Sequence, residues 1–291
     1  SKRRSRLLNL LGVFNKLLHA CRRNTKTCSV KNISEHYDLG NEFFAQILDR
    51  TMTYSSALFS SDEQSLAVAQ EAKYERICRQ LRLEKGMSVL EIGCGWGGFA
   101  LYAAQNYGVN LTLITISKQQ YDYVSMLIKD LHLEKQIDLR LMDYRKLSGS
   151  FDRVVSIEMI EAVGEEYIDQ YAAKLDQVLK QDGLILLQFI SCPDSRYETL
   201  KSNVDFIQKH IFPGSLLQSQ HRVNLALRKS GELFPVDLFD MTESYVRTLS
   251  LWQKNFEDNW QNIEKPGCDE RFKRKWIYYF QYCQAAFAMR N

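Results

Sequence analysis

The sequence lacks any Cys-x-x-Cys pair, although seven cysteines stand at positions 21, 28, 78, 94, 192, 268 and 283. An odd, scattered set argues against a disulfide framework or a zinc site, and for a reducing compartment. Proline occurs only four times, and there is no repeat and no low-complexity stretch, so no flexible interdomain linker is visible. No run of about 18 apolar residues exists, so no transmembrane helix is expected. Acidic residues are missing from Ser1 to Ser34, where nine basic ones stand: Lys2, Arg3, Arg4, Arg6, Lys16, Arg22, Arg23, Lys26 and Lys31. That charge has no nucleic-acid recognition motif beside it, so no nucleic-acid partner is expected.

What is present is ordinary for a soluble globular enzyme: 291 residues, 45% hydrophobic and 25% charged, with a net charge of +3. The length suits one large domain, or one domain with a sizeable insertion. The basic start followed by Leu-Leu-Asn-Leu-Leu has the outline of a signal peptide. Asn9, Asn15 and Lys16 interrupt its apolar part, and no clear cleavage site follows. Leu7, Leu8, Leu10, Leu11, Phe14, Leu17 and Leu18 recur at roughly helical spacing. Two readings stay open for this basic amphipathic helix: a membrane-surface element, or a helix packed on its own domain with a solvated face. The chain begins with Ser1 and not methionine, as a piece of a longer protein would.

Residues 1–31 are read as a basic amphipathic arm and 32–291 as a single domain. Residues 32–84 are mostly helical, with helices from Asn41 to Leu48 and from Leu66 to Leu83. Residues 85–191 alternate strand and helix, the mark of a parallel sheet. Strands are expected at 88–92, 111–116, 137–141, 152–157 and 184–190, and helices near 98–107, 118–132 and 166–180. The sequence Ser191-Cys192-Pro193-Asp194 breaks the alternation, and a helical lid insertion follows at about 192–230. A strand is expected near 234–240, then two long helices from 243 and 269.

The central motif is Glu91-Ile92-Gly93-Cys94-Gly95-Trp96-Gly97-Gly98, which follows the apolar run Val89-Leu90. Glycines at a strand-to-helix turn let the backbone approach a ligand and present N–H groups at a helix N-terminus. In a doubly wound sheet that crevice holds a nucleotide. Gly93, Gly95 and Gly98 also satisfy the dinucleotide spacing G-x-G-x-x-G. Dinucleotide folds place an acidic residue at the end of the second strand. Thr115 and Ser117 stand there instead, which weakens that alternative.

Several segments combine in a fixed order: His36-Tyr37-Asp38-Leu39-Gly40-Asn41, Met52-Thr53-Tyr54-Ser55-Ser56, the glycine motif, Ile157-Glu158-Met159-Ile160-Glu161, and Tyr278-Tyr279-Phe280-Gln281-Tyr282-Cys283. Together they resemble the cyclopropane-fatty-acid synthase family, which includes mycolic-acid cyclopropane synthases and related lipid methyltransferases. The resemblance runs from about 33 to 289. It implies an α/β fold of the class I methyltransferase, Rossmann-like kind: a doubly wound, mostly parallel sheet with a helical N-terminal region and a helical insertion. Such a sheet normally ends in an antiparallel strand. Here the final helix is the last element, so that strand is missing or the edge is completed differently.

The resemblance further implies an S-adenosylmethionine site on Tyr54, Ser55, Gly93, Gly95, Gly97, Thr115, Gln120 and Tyr144. For Tyr144, adenine contact and simple packing stay equally open. The implied chemistry is methyl transfer to a carbon–carbon double bond of an acyl chain. The resulting carbocation is held dry, and a proton is then removed. Tyr37, Tyr54 and Tyr245 match aromatic positions around the family's reaction centre. Glu161 and Tyr245 match two groups that hold bicarbonate, the family's proposed base. At two further positions the chain departs: Ser56 replaces a cysteine and Gln188 a histidine. Both still donate hydrogen bonds, but neither carries charge as His does. Bicarbonate is therefore left open, and with it the choice between a cyclopropane and a methyl-branched or methylene product. Glu158 reads as a solvated or capping carboxylate, and His210 is assigned no chemistry.

The expected substrate is an unsaturated phospholipid or acyl carrier, met by a cytoplasmic protein peripheral on the membrane, with homodimer formation left open. Two alternatives remain, a small-amine N-methyltransferase and an inactive cofactor-binding relative.

Overall fold

The computed structural model describes residues 39–264 and 268–290. Tyr37 and the arm 1–31 lie outside the described residues. The chain divides into two compact units.

The larger unit holds, among the described residues, 39–157, 177–188, 235–264 and 268–290. Its centre is a sheet of strands β1 (Ser88–Ile92), β2 (Asn110–Thr115), β3 (Ile137–Leu141), β4 (Phe151–Ile157) and β5 (Leu179–Gln188), in the order β3-β2-β1-β4-β5. Every neighbouring pair is parallel. Buried parallel strands read as continuous apolar runs, and Val89, Leu90, Ile92, Leu113 and Val155 are almost fully enclosed. Helices α1 (Gly40–Ile47), α2 (Leu66–Gln80), α3 (Gly98–Tyr107) and α4 (Lys118–Asp130) fall within a few residues of the sequence-based bounds. Local chemistry sets those bounds. The Ser65 and Ser117 hydroxyls cap α2 and α4, and Gly108 ends α3 in the left-handed conformation. Tyr74, Ile77, Phe99, Ala103, Val124 and Ile128 pack on the strands as one core.

The chain runs from β1 outward to β3 and then crosses to β4 on the other side of β1. The order therefore reverses beside β1, and crevices at such reversals, outside the carboxyl ends of the strands, bind ligands.

One point left open by the sequence is decided here, and one expectation is corrected. The sheet carries no antiparallel strand among the described residues. No strand forms at 234–240 either, although Phe234, Val236 and Leu238 alternate as a strand would. Pro235 removes one ladder donor, and Val236 is 76% exposed. From 235 on, the segment is held by side chains instead: the Arg76 guanidinium lies 3.6 Å from the Phe239 ring centroid and 3.8 Å from the Asp237 carboxylate. This segment leads into α9 (Thr242–Asp258), which packs along α11 (Glu270–Ala288).

The smaller unit holds residues 158–176 and 189–234 among the described ones. It contains helices α6 (Asp194–Ser202), α7 (Phe206–His210) and α8 (Gln220–Ser230), with a parallel bridge between 191–192 and 218–219. Helix α5 (Ile168–Val178) begins in this unit and α10 (Trp260–Ile263) belongs to the larger one. Cys192, Tyr197 and Leu216 form a small core. Arg222 joins Glu165 at 3.0 Å and Asp169 at 2.6 Å. No described helix is long and apolar enough to cross a membrane.

Candidate active site

The glycine turn at the end of β1 is shaped by backbone conformation. Gly93, Gly95 and Gly97 have φ of 80°, 53° and 85°, a region that L side chains seldom adopt. The amides of Gly93 and Cys94 donate to the Ile114 carbonyl at 3.0 and 3.1 Å, which ties the turn to the end of β2. The glycines then differ. A Cβ on Gly98 would press on the Tyr74 hydroxyl, on Thr53 Oγ1 at 2.7 Å and on the Thr51 carbonyl at 3.0 Å. Gly98 is thus a packing glycine, and the third glycine of the dinucleotide spacing needs no ligand to explain it. A Cβ on Gly95 would meet nothing within 4 Å. Gly95 faces open space, as a ligand cradle requires.

The neighbouring strand ends supply polar groups. Thr115 Oγ1 donates to Gln120 Oε1 at 2.8 Å and accepts from the Ser117 amide at 3.1 Å. Thr115 and Gln120 are therefore brought together, both buried. Tyr144 follows β3 in a short 3-10 turn and is buried. The Met142 amide donates to the Thr115 carbonyl at 2.9 Å, so these two strand ends are joined.

The loop carrying Tyr54, Ser55 and Ser56 is held by α2. Gln70 Nε2 donates to the Ser55 carbonyl at 2.9 Å, and Lys73 Nζ donates to Ser55 Oγ at 2.7 Å. The Tyr54 ring lies 5.2 Å from Phe44 and 5.1 Å from Trp252, and its hydroxyl is 3.2 Å from that of Tyr279. Tyr245 meets Trp252 edge-on at 6.3 Å and stacks on Phe287 at 4.4 Å. Ser56 donates to the Ala57 carbonyl, the Ala57 amide donates to Thr248 of α9, and Gln188 Nε2 reaches the Ser56 carbonyl at 3.5 Å. Ser56, Gln188, Tyr54 and Tyr245 thus share one aromatic-walled region of the larger unit.

Glu161 belongs to the smaller unit, in the 3-10 turn Ile160–Ala162. Its Oε1 accepts from the Ile190 amide at 2.5 Å, and its Oε2 is buried without a hydrogen-bond partner. Burial, reinforced by the Glu158 charge, pushes its carboxyl up to about 8.

Sequence reasoning passed over Asn41, Gln70, Lys73 and Trp252. Asn41 Oδ1 accepts from the Trp96 indole at 2.8 Å and so braces the glycine turn. Gln70 and Lys73 had a signal: they interrupt the apolar stripe of α2 that also carries Ala69, Tyr74 and Ile77. Trp252 lies seven residues after Tyr245, on the same face of α9.

A five-stranded parallel sheet with a left-handed glycine turn at its switch point is the fold of a class I methyltransferase. A solved structure of the mycolic acid cyclopropane synthase CmaA1, complexed with SAH and CTAB, superposes with a TM-score of 0.82 at 28% identity, covering 89% of this chain and 94% of that one. The model of the mycolic acid cyclopropane synthetase family matches residues 24–291, and the chain belongs to that family. It is 40% identical over 258 residues to the cyclopropane-fatty-acyl-phospholipid synthase of Escherichia coli K12, covering 88% of this chain and 64% of the relative. It is 35% identical over 264 residues to the tuberculostearic acid methyltransferase UfaA1 of Mycobacterium tuberculosis, covering 88% and 62%. The chain thus spans less than two thirds of the length of these two relatives.

Proposed function

We propose that the chain transfers a methyl group from S-adenosylmethionine to a double-bond carbon of an unsaturated fatty-acyl chain, carried on a phospholipid or similar carrier. The observation that carries this reading is the open face of Gly95 within a left-handed glycine turn, in a chain of this family. Gly93, Gly95, Gly97, Ser55, Thr115, Gln120 and Tyr144 hold the cofactor, which supplies an electrophilic sulfonium-bound methyl group. The relatives' names point to fatty-acyl substrates.

The chain's own residues have three tasks. The faces of Tyr54, Tyr245 and Trp252 stabilise positive charge that develops on the alkene. The apolar wall behind them excludes water, which would otherwise capture the cation. Glu161 governs removal of the proton. With its carboxyl near 8, about one molecule in ten is ionised at pH 7, so proton removal strengthens as the pH rises. Ser56 and Gln188 add hydrogen bonds without charge, and loss of one proton from the cation gives either a cyclopropane or a methylene-branched chain, both of which are compatible with them. Mass spectrometry of total lipids from cells with and without the protein tests this: unsaturated acyl chains gain one carbon. An unchanged acyl profile would overturn the reading.

The acid-free basic arm serves as a peripheral membrane contact, at about 1 kcal/mol per basic residue near an anionic surface. Deleting residues 1–31 lowers co-sedimentation with anionic liposomes, and added salt does the same. Equal binding with and without the arm would contradict this role.

A further inference from the structure

We propose that Lys73 is a positioning residue of the cofactor cradle: its ammonium fixes Ser55 as a hydroxyl donor for the carboxylate at the cofactor's amino-acid end. The inference rests on the cofactor reading above and adds to it a role for helix α2.

Lysine is almost never fully buried unless it is paired, yet Lys73 is 1% exposed. It lies on the inward stripe of α2, whose other polar members clamp the same loop. Gln70 holds the Ser55 carbonyl and the Tyr74 hydroxyl bonds Thr53 Oγ1. An ammonium only donates, so in the 2.7 Å bond between Lys73 Nζ and Ser55 Oγ the serine is the acceptor. A hydroxyl has one hydrogen of its own to give. No acceptor for the Ser55 hydrogen is found among the described residues, although Ser55 is only 3% exposed. The bond therefore sets the polarity of Ser55, with lone pair toward the lysine and O–H toward an acceptor that the described residues do not supply. A hydroxyl polarised by a cation suits an anionic acceptor. The amino-acid end of the cofactor carries such a group in its carboxylate.

A second observation explains why the position is lysine and not a neutral donor. Glu91, the acidic residue of the glycine motif, is 2% exposed, and its Oε2 has no hydrogen-bond partner. Burial disfavours its charged form, and the Lys73 charge opposes that effect. Tyr74 and Cys94 also feel the Glu91 charge, and neither is cationic. Burial still holds the Glu91 carboxyl well above the usual carboxylate range, and the Lys73 charge opposes that only in part; the same ammonium is the donor that orients Ser55.

The test compares two ligands on the full chain by calorimetry. S-adenosylhomocysteine carries the amino-acid end, whereas 5′-methylthioadenosine has the same nucleoside and sulfur without it. Lys73→Met is expected to weaken S-adenosylhomocysteine about tenfold or more, the scale of a hydrogen bond to a charged group, and to leave 5′-methylthioadenosine unchanged. Ser55→Ala should show the same selective loss, and the double variant should lose little beyond either single one. Lys73→Arg, which keeps the charge, should recover part of the loss. Equal weakening of both ligands by a folded Lys73→Met would make the lysine merely structural and overturn the proposal, as would no weakening at all. If Lys73→Met does not fold, Lys73→Gln decides: a loss confined to S-adenosylhomocysteine supports the proposal, and a loss of both ligands or of neither overturns it. Wild-type protein that binds neither ligand would instead overturn the cofactor reading itself.

Discussion

The glycine turn after β1 and the turn that carries Glu161 are built by opposite means. The first is made of backbone: three left-handed glycines, amides tied to the end of β2, and polar side chains that bond one another. The second is made of one side chain in an adverse place, a buried carboxyl with one oxygen on an amide and the other without a partner. A cradle must be the same before and after each turnover, and backbone conformation provides that. In the proposed reaction Glu161 handles the proton, and burial is what raises its carboxyl toward the working pH. The difference separates binding from turnover, and mutations should separate them too.

The largest effect is expected where a glycine is packed. Gly98→Leu drives a side chain into Tyr74, Thr53 and the Thr51 carbonyl, and overpacking of this kind costs about 1–3 kcal/mol or more. Loss of folded protein, read by circular dichroism and thermal melting, is the expected outcome. Gly95→Leu meets no steric clash, because its Cβ has nothing within 4 Å; it costs only the backbone strain of a side chain at φ 53°, about 1–2 kcal/mol, and should still fold, while binding of S-adenosylhomocysteine by calorimetry disappears. Unchanged affinity in Gly95→Leu would remove the cradle from the account.

Next in size is Glu161→Gln. Cofactor affinity should stay near wild type while the rate on an unsaturated phospholipid falls by roughly 10²–10⁴, the contribution of a positioned acid–base group. In the wild type, kcat/KM should rise with pH and level off above about 8, following ionisation of this carboxyl. Full turnover in Glu161→Gln would make the residue structural.

A smaller effect concerns stability. The folded carboxyl is raised from 4.5 to about 8, so the folded chain keeps a proton that the unfolded chain releases. The stabilisation is complete below 4.5 and is lost as the pH rises through about 8, at no more than about 1.4 kcal/mol per pH unit. Melting temperature should therefore fall between pH 6 and 8 in the wild type, and fall less in Glu161→Gln. Parallel curves would show that the group titrates as an ordinary glutamate. The smallest change expected is from Gln188→His, which restores a charge-bearing side chain beside Ser56. Measured with and without bicarbonate, it should strengthen any bicarbonate dependence of the rate, and an indifferent response would separate Gln188 from proton removal.

The same contrast explains what the sequence made legible. The strands, the helices of the sheet and the glycine turn were readable because each rests on local rules: apolar runs, serine caps and residues that tolerate positive φ. The segment 234–240 misled because alternation records side-chain pattern and not the presence of a partner strand. Tertiary effects were hidden. Nothing near position 161 in the sequence announces that its carboxyl is buried against the Ile190 amide. Lys73 reads as an ordinary helical lysine until the loop 49–57 is seen to cover it. Gly98 looked like part of a ligand motif and is explained by a hydroxyl 24 residues earlier, on Tyr74.

Methyl transfer to the acyl chain is decided by incubating the purified chain with S-adenosylmethionine labelled in its methyl group and vesicles of an unsaturated phospholipid, then analysing the acyl chains by mass spectrometry. Label is expected in the acyl chain at the position of the former double bond, and none in vesicles of saturated lipid. Label confined to a headgroup amine, or no transfer by protein that binds S-adenosylhomocysteine, would contradict it.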